Sequence, residues 1–120
     1  MDLYPNIKGQ TVVIPKKHMQ SYAFDLKDKE LSDLVMVSKK VAKLLEKKLR
    51  VGRVHLVFEG LGVDHVHAKL YPAIGVNKQF KEFLAKKIVN FDRYEGYVTT
   101  QLGKKATDSE LKSVYRRLVK

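Results

Sequence analysis

The stretch Asp64-His65-Val66-His67-Ala68-Lys69-Leu70-Tyr71-Pro72 decides the interpretation of this sequence, because polar and apolar side chains alternate along it. Successive side chains of a β-strand point to opposite faces of the sheet, so residues i and i+2 share a face. One face of the predicted strand therefore carries a polar row: His65, His67, Lys69 and Tyr71. The opposite face carries apolar residues that we expect to pack inward: Val66, Ala68 and Leu70.

The paired histidines of this row admit three interpretations. Near neutral pH an imidazole serves as a nucleophile or a general acid–base, and a neighbouring lysine supplies positive charge for a phosphate. A bare His-x-His is also the polar, solvated face of an ordinary amphipathic strand. Strand histidines can ligate zinc as well, but the third ligand would have to come from elsewhere, and nothing in the spacing of His18 or Asp64 argues for either.

The segments before the histidines predict a strand followed by a long helix. Gln10 to Ile14 is a β-branched run that Pro15 ends, because proline has no N–H for a ladder. From Asp28 an apolar stripe at helical spacing predicts the longest helix, with acidic residues near its start and basic residues near its end. We expect Gly52 to stop this helix.

Two alternating segments then predict an antiparallel hairpin. Arg53 to Glu59 and Asp64 to Tyr71 each alternate between polar and apolar residues, with the break Gly60-Leu61-Gly62 between them. Sequential strands joined by so short a connection pair with each other, so the histidine segment is expected to lie beside Arg53 to Glu59.

Downstream of Pro72 the pattern is mainly helical. Four apolar residues at helical spacing after Asn77 predict a short helix: Phe80, Phe83, Leu84 and Ile88. Thr107-x-x-Glu110 is a capping box and predicts that the last dozen residues are helical. Between these helices, Tyr97 to Thr100 fits either a small edge strand or an ordered loop. With no internal repeat or linker, this order of elements predicts one α+β domain over residues 1–120.

The composition is that of a small basic protein. Its 120 residues include 24 Lys and Arg against 13 Asp and Glu, a formal net charge of +11, and zero Cys excludes disulfides and cysteine-ligated metals. No apolar run approaches the roughly 20 residues of a membrane helix, and residues 1–20 lack a signal core, so we expect a cytoplasmic protein. The charge fits solvated helix faces and also an anionic partner, such as a nucleotide, RNA or an acidic lipid surface. The sequence motifs of common RNA-binding modules are missing.

Four segments agree in order and spacing with one known family. Asp2-Leu3-Tyr4-Pro5 is similar to its Asp-Ile-x-Pro, and Gly9-Gln10-Thr11-Val12-Val13-Ile14-Pro15-Lys16-Lys17-His18 to its Gly-His-Thr-Leu-Val-Ile-Pro-Lys-x-His. Val57-Phe58-Glu59-Gly60 is similar to a strand ending in Asn-x-Gly, and the histidine segment to His-φ-His-φ-His-φ-φ, where φ is apolar. Residues 2–72 thus resemble the histidine triad (HIT) family of nucleotide-binding and nucleotide-hydrolysing proteins, in a divergent branch with Lys69 at the third motif position.

The resemblance implies a reaction and three catalytic residues. His67 matches the family's middle histidine, which attacks the α-phosphorus of a nucleotide and forms a nucleotidyl-histidine, without a cofactor or a metal. His65 would orient or tune this nucleophile. Lys69 can stabilise phosphate charge, but an ammonium group does not easily donate a proton to a leaving group at neutral pH.

The resemblance also implies a nucleotide-binding set. Asp2 and Leu3 match positions at the ribose and base, Gln10 stands where the family has a supporting histidine, and Phe58 replaces an asparagine near the ribose. The loop after Gly60 would wrap near the phosphate, which gives the remaining members: Gly62, Val63 and Asp64.

For the fold, the resemblance implies a HIT-like antiparallel sheet with one long helix packed on it. Residues 1–72 would form the core, without the N-terminal hairpin and helix that wall the base pocket in the family, and residues 73–120 a C-terminal extension that is helical in part. Family members pair as homodimers, so we expect a homodimer. A nucleotide or nucleotide conjugate is the expected partner, a nucleic acid is a further candidate through the basic surface, and no membrane partner is expected.

Three hypotheses of function follow. The first is a HIT-like nucleotide phosphohydrolase or nucleotidyl transferase acting at the α-phosphate through His67. The alternative is a catalytically weak nucleotide- or RNA-binding HIT-like module that relies on Lys69 and the basic surface. The second alternative is a metal-binding histidine pair formed by His65 and His67.

Overall fold

The computed structural model of the protein describes residues 1–86, 90–96 and 103–120. The elements in chain order are β1 (Thr11–Val13), a 3-10 turn (Ala23–Asp25), α1 (Asp28–Leu49), β2 (Val54–Val57), β3 (Ala68–Pro72) and α2 (Asp108–Val119). In the described part of the chain, β3 is the central strand of a three-stranded sheet and runs antiparallel to both β1 and β2. This is the α+β arrangement expected from the sequence, including the hairpin of β2 and β3.

The long helix α1 is confirmed, although its stop residue differs. The helix carries acidic residues in its first turn and lysines in its last turn, which complement the helix dipole. It ends where Arg50, and not Gly52, adopts a left-handed conformation with φ of 56°. Gly52 has another use: the backbone of Asn77 and Lys78 passes so close to it that a Cβ would overlap.

The core confirms the alternation along residues 65–70. Val66, Ala68 and Leu70 are each no more than 1% exposed, and burying a side chain of the size of leucine stabilises a fold by about 1.5–3 kcal/mol. Val66 packs in one cluster with Ala23 and with Leu34 of α1, so the helix covers this face of the sheet. The opposite face is therefore the one that can hold a site.

The β-ladder is shorter than the predicted strand Asp64 to Tyr71. β1 pairs with β3 only from Thr11 to Val13, since Pro15, two residues further on, has no N–H to extend the ladder. Upstream of β3, the N–H of Val66 instead donates to the carbonyl of Met19 over 3.1 Å. The two histidines of the motif thus lie on a segment just before β3, anchored to the chain that follows β1.

The predicted short helix after Asn77 is wrong for the described residues. Residues 78–86 contain no helical turn, and Phe80, Phe83 and Leu84 are each at least 75% exposed. An apolar stripe stabilises a helix only where another element covers it, and these side chains have no such cover among the described residues. Ile88 and the stretch Tyr97 to Thr100 lie outside the described residues.

The C-terminal helix α2 is confirmed together with its capping box. The hydroxyl of Thr107 accepts from the N–H of Glu110, and the Glu110 carboxylate accepts from the N–H of Thr107 at 2.8 Å. α2 packs against α1, and the residues before it bond to the N-terminal segment through the N–H of Ala106 and the carbonyl of Leu3 at 2.8 Å. Among the helices described, none combines the length and the apolar character that crossing a membrane requires.

Candidate active site

A cavity of about 650 Å³ lies over the face of the sheet opposite α1. Side chains from three parts of the chain meet in its wall: the N-terminal segment, β1, and the loop and strand around the histidines. The wall residues are Asp2, Tyr4, Val12, Ile14, Gly60, Leu61, Gly62, Val63, His65, His67 and Lys69. The two imidazoles and the ammonium group of the polar row therefore share one hollow, as their alternation predicts.

His67 is held by the backbone of its own segment. Its Nδ1 lies 2.8 Å from the carbonyl oxygen of His65. A carbonyl oxygen only accepts hydrogen bonds, so Nδ1 carries the proton and the neutral ring keeps the lone pair on Nε2. The ring is half-buried and lines the cavity.

His65 makes a hydrogen bond at each ring nitrogen. Its Nε2 lies 3.0 Å from the carbonyl oxygen of Pro15, and its Nδ1 lies 3.1 Å from Nδ1 of His18. The ring is therefore attached to the loop that follows β1. Its orientation is set by that loop as well as by the segment before β3 that carries it.

Lys69 pairs with Asp2 at the other end of the cavity. The Lys69 Nζ and the Asp2 Oδ2 are 3.5 Å apart, and their side chains are 12% and 11% exposed. Oδ2 also accepts from the Gln10 amide at 2.6 Å, and Oδ1 accepts from the N–H of Tyr4 at 3.0 Å. Burial alone would raise the pKa of Asp2, but the bonds from Tyr4 and Gln10 and the charge of Lys69 outweigh it and hold the pKa below its ordinary value.

Tyr71 lies beyond Lys69 on the same row, but it is buried. Its side chain is 7% exposed, and within the described residues its hydroxyl has no hydrogen-bond partner. Burial, followed by the negative charges of Asp2 and Glu59, raises the pKa of Tyr71 to about 12. The phenol that we expected to line the open row therefore stays protonated and is covered.

The family comparison agrees with this geometry. The family model described as HIT domain matches residues 1–73, the part of the chain that supplies the whole cavity wall. The chain belongs to the HIT family. A protein of Methanocaldococcus jannaschii described as an uncharacterized HIT-like protein is 31% identical over 97 residues, covering 77% of this chain and 74% of that protein.

A solved structure supports the HIT fold over nearly the whole chain. The crystal structure of a hypothetical histidine triad nucleotide-binding protein from Sulfolobus tokodaii strain 7 matches with a TM-score of 0.69 at 21% identity. The match covers 98% of this chain and 72% of that one. The antiparallel sheet with its packed helix is thus the HIT fold.

The structure brings six of the ten predicted HIT site residues into the cavity wall: Asp2, Gly62, Val63, His65, His67 and Lys69. The other four lie elsewhere. Leu3 is 52% exposed outside the wall, and Gln10, 1% exposed, lies beneath Asp2 and reaches the site only through that carboxylate. Phe58 packs against the buried cluster of Ala23, Leu34 and Val66, and Asp64 accepts from the N–H of Ser21 at 3.1 Å.

Sequence reasoning missed several wall residues, and some of them carried a readable signal. Val12 is paired with Lys69 across the ladder, and Ile14 follows two residues later on the same face. Alternation along β1 would therefore have placed both in the site. The position of Tyr4 depends on the path of the N-terminal segment, which has no periodic pattern to show it.

The geometry offers little for a metal ion. Over residues 1–86, 90–96 and 103–120, no three His, Cys, Asp or Glu side chains converge as metal ligands. A metal bound to His65 and His67 would therefore lack a third protein ligand in this part of the chain.

Proposed function

We propose that this HIT protein hydrolyses or transfers nucleotides at the α-phosphate, with His67 as the nucleophile. The observation that carries the proposal is the bond from Nδ1 of His67 to the carbonyl of His65, 2.8 Å long, in a residue of the cavity wall. It leaves the lone pair on Nε2, and attack on phosphorus requires such an unprotonated nitrogen. The carbonyl also stabilises the positive charge that the ring gains when it is nucleotidylated.

The reaction has two displacements. In the first, Nε2 of His67 forms a bond to the α-phosphorus, and the bond from phosphorus to the leaving group breaks with its electron pair. In the second, water or another hydroxyl acceptor attacks the same phosphorus and releases its proton to solvent, and the P–N bond breaks so that the electron pair returns to Nε2. Through both steps Nδ1 of His67 keeps its proton and donates it in the hydrogen bond to the carbonyl of His65.

Lys69 and Asp2 are assigned to binding. The ammonium group of Lys69 supplies positive charge to the phosphate oxygens, and Asp2, by its HIT motif position, accepts from the ribose hydroxyls. Because the two groups already face each other at 3.5 Å, they are expected to align a nucleotide along the row. Leu3, Gly62 and Val63 are proposed to contact the base and the phosphate, and Gln10, Phe58 and Asp64 to support those contacts.

The second candidate is a nucleotide-binding module with weak turnover. Lys69 at the third motif position favours it, since an ammonium group does not easily donate a proton to a leaving group at neutral pH. Substrates whose leaving group needs no proton from the protein would still react under the first candidate. The dependence of the reaction rate on the leaving group therefore separates the enzyme from the binding module.

The deciding experiment incubates the protein with an adenosine phosphoramidate and with a dinucleoside polyphosphate, and measures AMP by chromatography. We expect AMP from the wild type, a nucleotidyl-protein adduct by mass spectrometry, and neither from His67→Ala. Absence of product from the wild type would refute the enzyme. In that case a rise of Tm with AMP would support the binding module. If the wild type is active, loss of that activity with EDTA would favour a metal.

A homodimer in the cytoplasm is part of the proposal. Within the described residues β2 pairs only with β3, and its Leu56 is 39% exposed, so this edge can receive a second copy. Size-exclusion chromatography with light scattering tests it: a monomer at tens of micromolar would refute the dimer.

The net charge of +11 supports a nucleic acid as an additional partner.

A further inference from the structure

His18 lies outside the cavity wall but contacts a residue that belongs to it. Its Nδ1 is 3.1 Å from Nδ1 of His65, and the two ring centroids are 5.2 Å apart with an interplanar angle of 46°. The side chain of His18 is exposed, so burial does not force this contact. The contact between the two rings therefore depends on this nitrogen-to-nitrogen hydrogen bond.

The positions of the protons in this pair follow from the acceptors around it. Nε2 of His65 lies 3.0 Å from the carbonyl oxygen of Pro15 and must donate to it. In the neutral ring, Nδ1 of His65 is then the acceptor, so Nδ1 of His18 must be the donor. The two rings therefore hold opposite tautomers.

Three hydrogen bonds attach the motif to the loop after β1. The ring of His65 bonds to Pro15 and to His18, and the N–H of the next residue, Val66, bonds to the carbonyl of Met19 at 3.1 Å. The backbone carbonyl that accepts from His67 lies between the ring of His65 and this N–H. Its direction is therefore set by contacts that include His18.

We propose that His18 is a positioning residue: its Nδ1–H donates to His65 and thereby fixes the carbonyl that orients His67. The inference rests on the proposed role of His67 as nucleophile. His18 does not touch the reacting atoms, and its effect reaches them through the ring and the carbonyl of His65.

Asparagine and aspartate at position 18 form a matched pair of variants. The two side chains have nearly the same shape, but an amide can donate in place of Nδ1–H, whereas a carboxylate only accepts. In His18→Asn the ring of His65 keeps its tautomer. In His18→Asp the carboxylate only accepts, so His65 either moves its proton to Nδ1 and loses the bond to Pro15, or carries protons on both nitrogens.

The spectroscopic test is a two-bond ¹H–¹⁵N correlation spectrum of the full chain at about pH 8, where a free imidazole is neutral. We expect Nδ1–H for His18 and His67 and Nε2–H for His65 in the wild type. His18→Asn should preserve the signals of His65 and His67. His18→Asp should place a proton on Nδ1 of His65 and make His67 lose its single Nδ1–H tautomer. Identical spectra of His67 in the two variants would overturn the proposal, whether or not the protein is an enzyme.

The kinetic test uses adenosine phosphoramidate hydrolysis. Outer-shell groups that orient metal-ligating imidazoles contribute about 10- to 100-fold in activity, and we expect kcat to fall by a similar factor in His18→Asp, with little change in KM. His18→Asn should return kcat close to the wild-type value. Equal kcat in both variants would show that the pair does not position the nucleophile. If the wild type has no turnover, the proposed function fails, and the spectra alone decide the role of His18.

Discussion

The two ends of the polar row share one stretch of chain, but different interactions stabilise them. At the histidine end, His65 and His67 bond to neutral carbonyl oxygens, and both rings line the cavity. At the other end, Lys69 forms an ion pair with Asp2, and Tyr71 is covered. Alternation along a strand thus fixes which face a side chain occupies, while neighbouring segments fix its protonation and exposure.

The two ends of the polar row serve different tasks. A carbonyl acceptor fixes a tautomer without adding charge, so the histidine end keeps a lone pair for chemistry. A carboxylate acceptor fixes the positive charge of Lys69, so the lysine end binds the nucleotide and stabilises the fold. Loss of a histidine should therefore reduce turnover with little effect on folding, and changes at the other end should alter binding or stability.

His67→Ala should have the largest effect. Removing the nucleophile of a covalent mechanism is expected to lower kcat by roughly 10³-fold or more, because no other imidazole has its bare nitrogen in the same position. The Tm should change little, since the ring is only half-buried. Single-turnover kinetics with an adenosine phosphoramidate measure the effect.

The matched control is His55→Ala, which removes an exposed histidine from the edge strand β2. Its kcat should equal that of the wild type. If both alanine variants lost activity equally, the histidine end would have no special role in turnover.

Lys69→Met comes next and tests whether the lysine end serves the phosphate. Methionine keeps the length of the apolar stem but removes the charge, and losing one group that stabilises transition-state charge costs roughly 10²-fold in kcat/KM. Lys29→Met on α1 removes an exposed ion pair with Asp33 and should leave kcat/KM unchanged. Equal kcat/KM in all three proteins would limit Lys69 to a structural role.

Asp2→Asn tests the same ion pair through stability. The pKa of Asp2 is depressed in the folded state, so its carboxylate stabilises the protein above the ordinary pKa of 3.8, and this stabilisation is lost as pH falls below it. The variant should thus be less stable than the wild type at pH 7, and the difference should be smaller at about pH 3. Urea unfolding at both pH values measures the difference. A gap that stays constant with pH would contradict the ion-pair account.

The sequence predicted the fold where the pattern is periodic. α1, the hairpin of β2 and β3, and α2 with its capping box were all readable from spacing and end residues. The short helix was wrong because spacing alone does not show whether another element covers the apolar stripe of Phe80, Phe83 and Leu84. Such a helix needs both helical periodicity and burial of its apolar stripe.

The site was predictable in its chemistry but only partly in its contacts. The face shared by His65, His67 and Lys69 follows from a period of two, whereas the partners of these residues come from segments far along the chain. His65 meets His18 across 47 residues of sequence, and Asp2 reaches Lys69 from the N-terminus. The burial of Tyr71, on the same face, likewise does not follow from the period of two.

Tyr71→Phe should have the smallest effect and the opposite sign. The phenol of Tyr71 is buried without a hydrogen-bond partner in the described part of the chain, and leaving such a group unsatisfied costs about 1–3 kcal/mol. Phenylalanine keeps the ring and removes the unsatisfied hydroxyl, so the free energy of unfolding should rise by about 1 kcal/mol at pH 7. Tyr115→Phe, at a 58% exposed position on α2, is the control and should change nothing.

The pH dependence of the same variant sharpens the contrast between the two ends. The pKa of Tyr71 is raised from 10.0 to about 12 in the folded protein, so the unfolded chain loses this proton first and stability falls as pH rises through that interval. Tyr71→Phe should remove this part of the alkaline loss, and Tyr115→Phe should retain it. Equal alkaline unfolding curves for the two variants would mean that the phenol is not covered. The lysine end would then be as open as the histidine end.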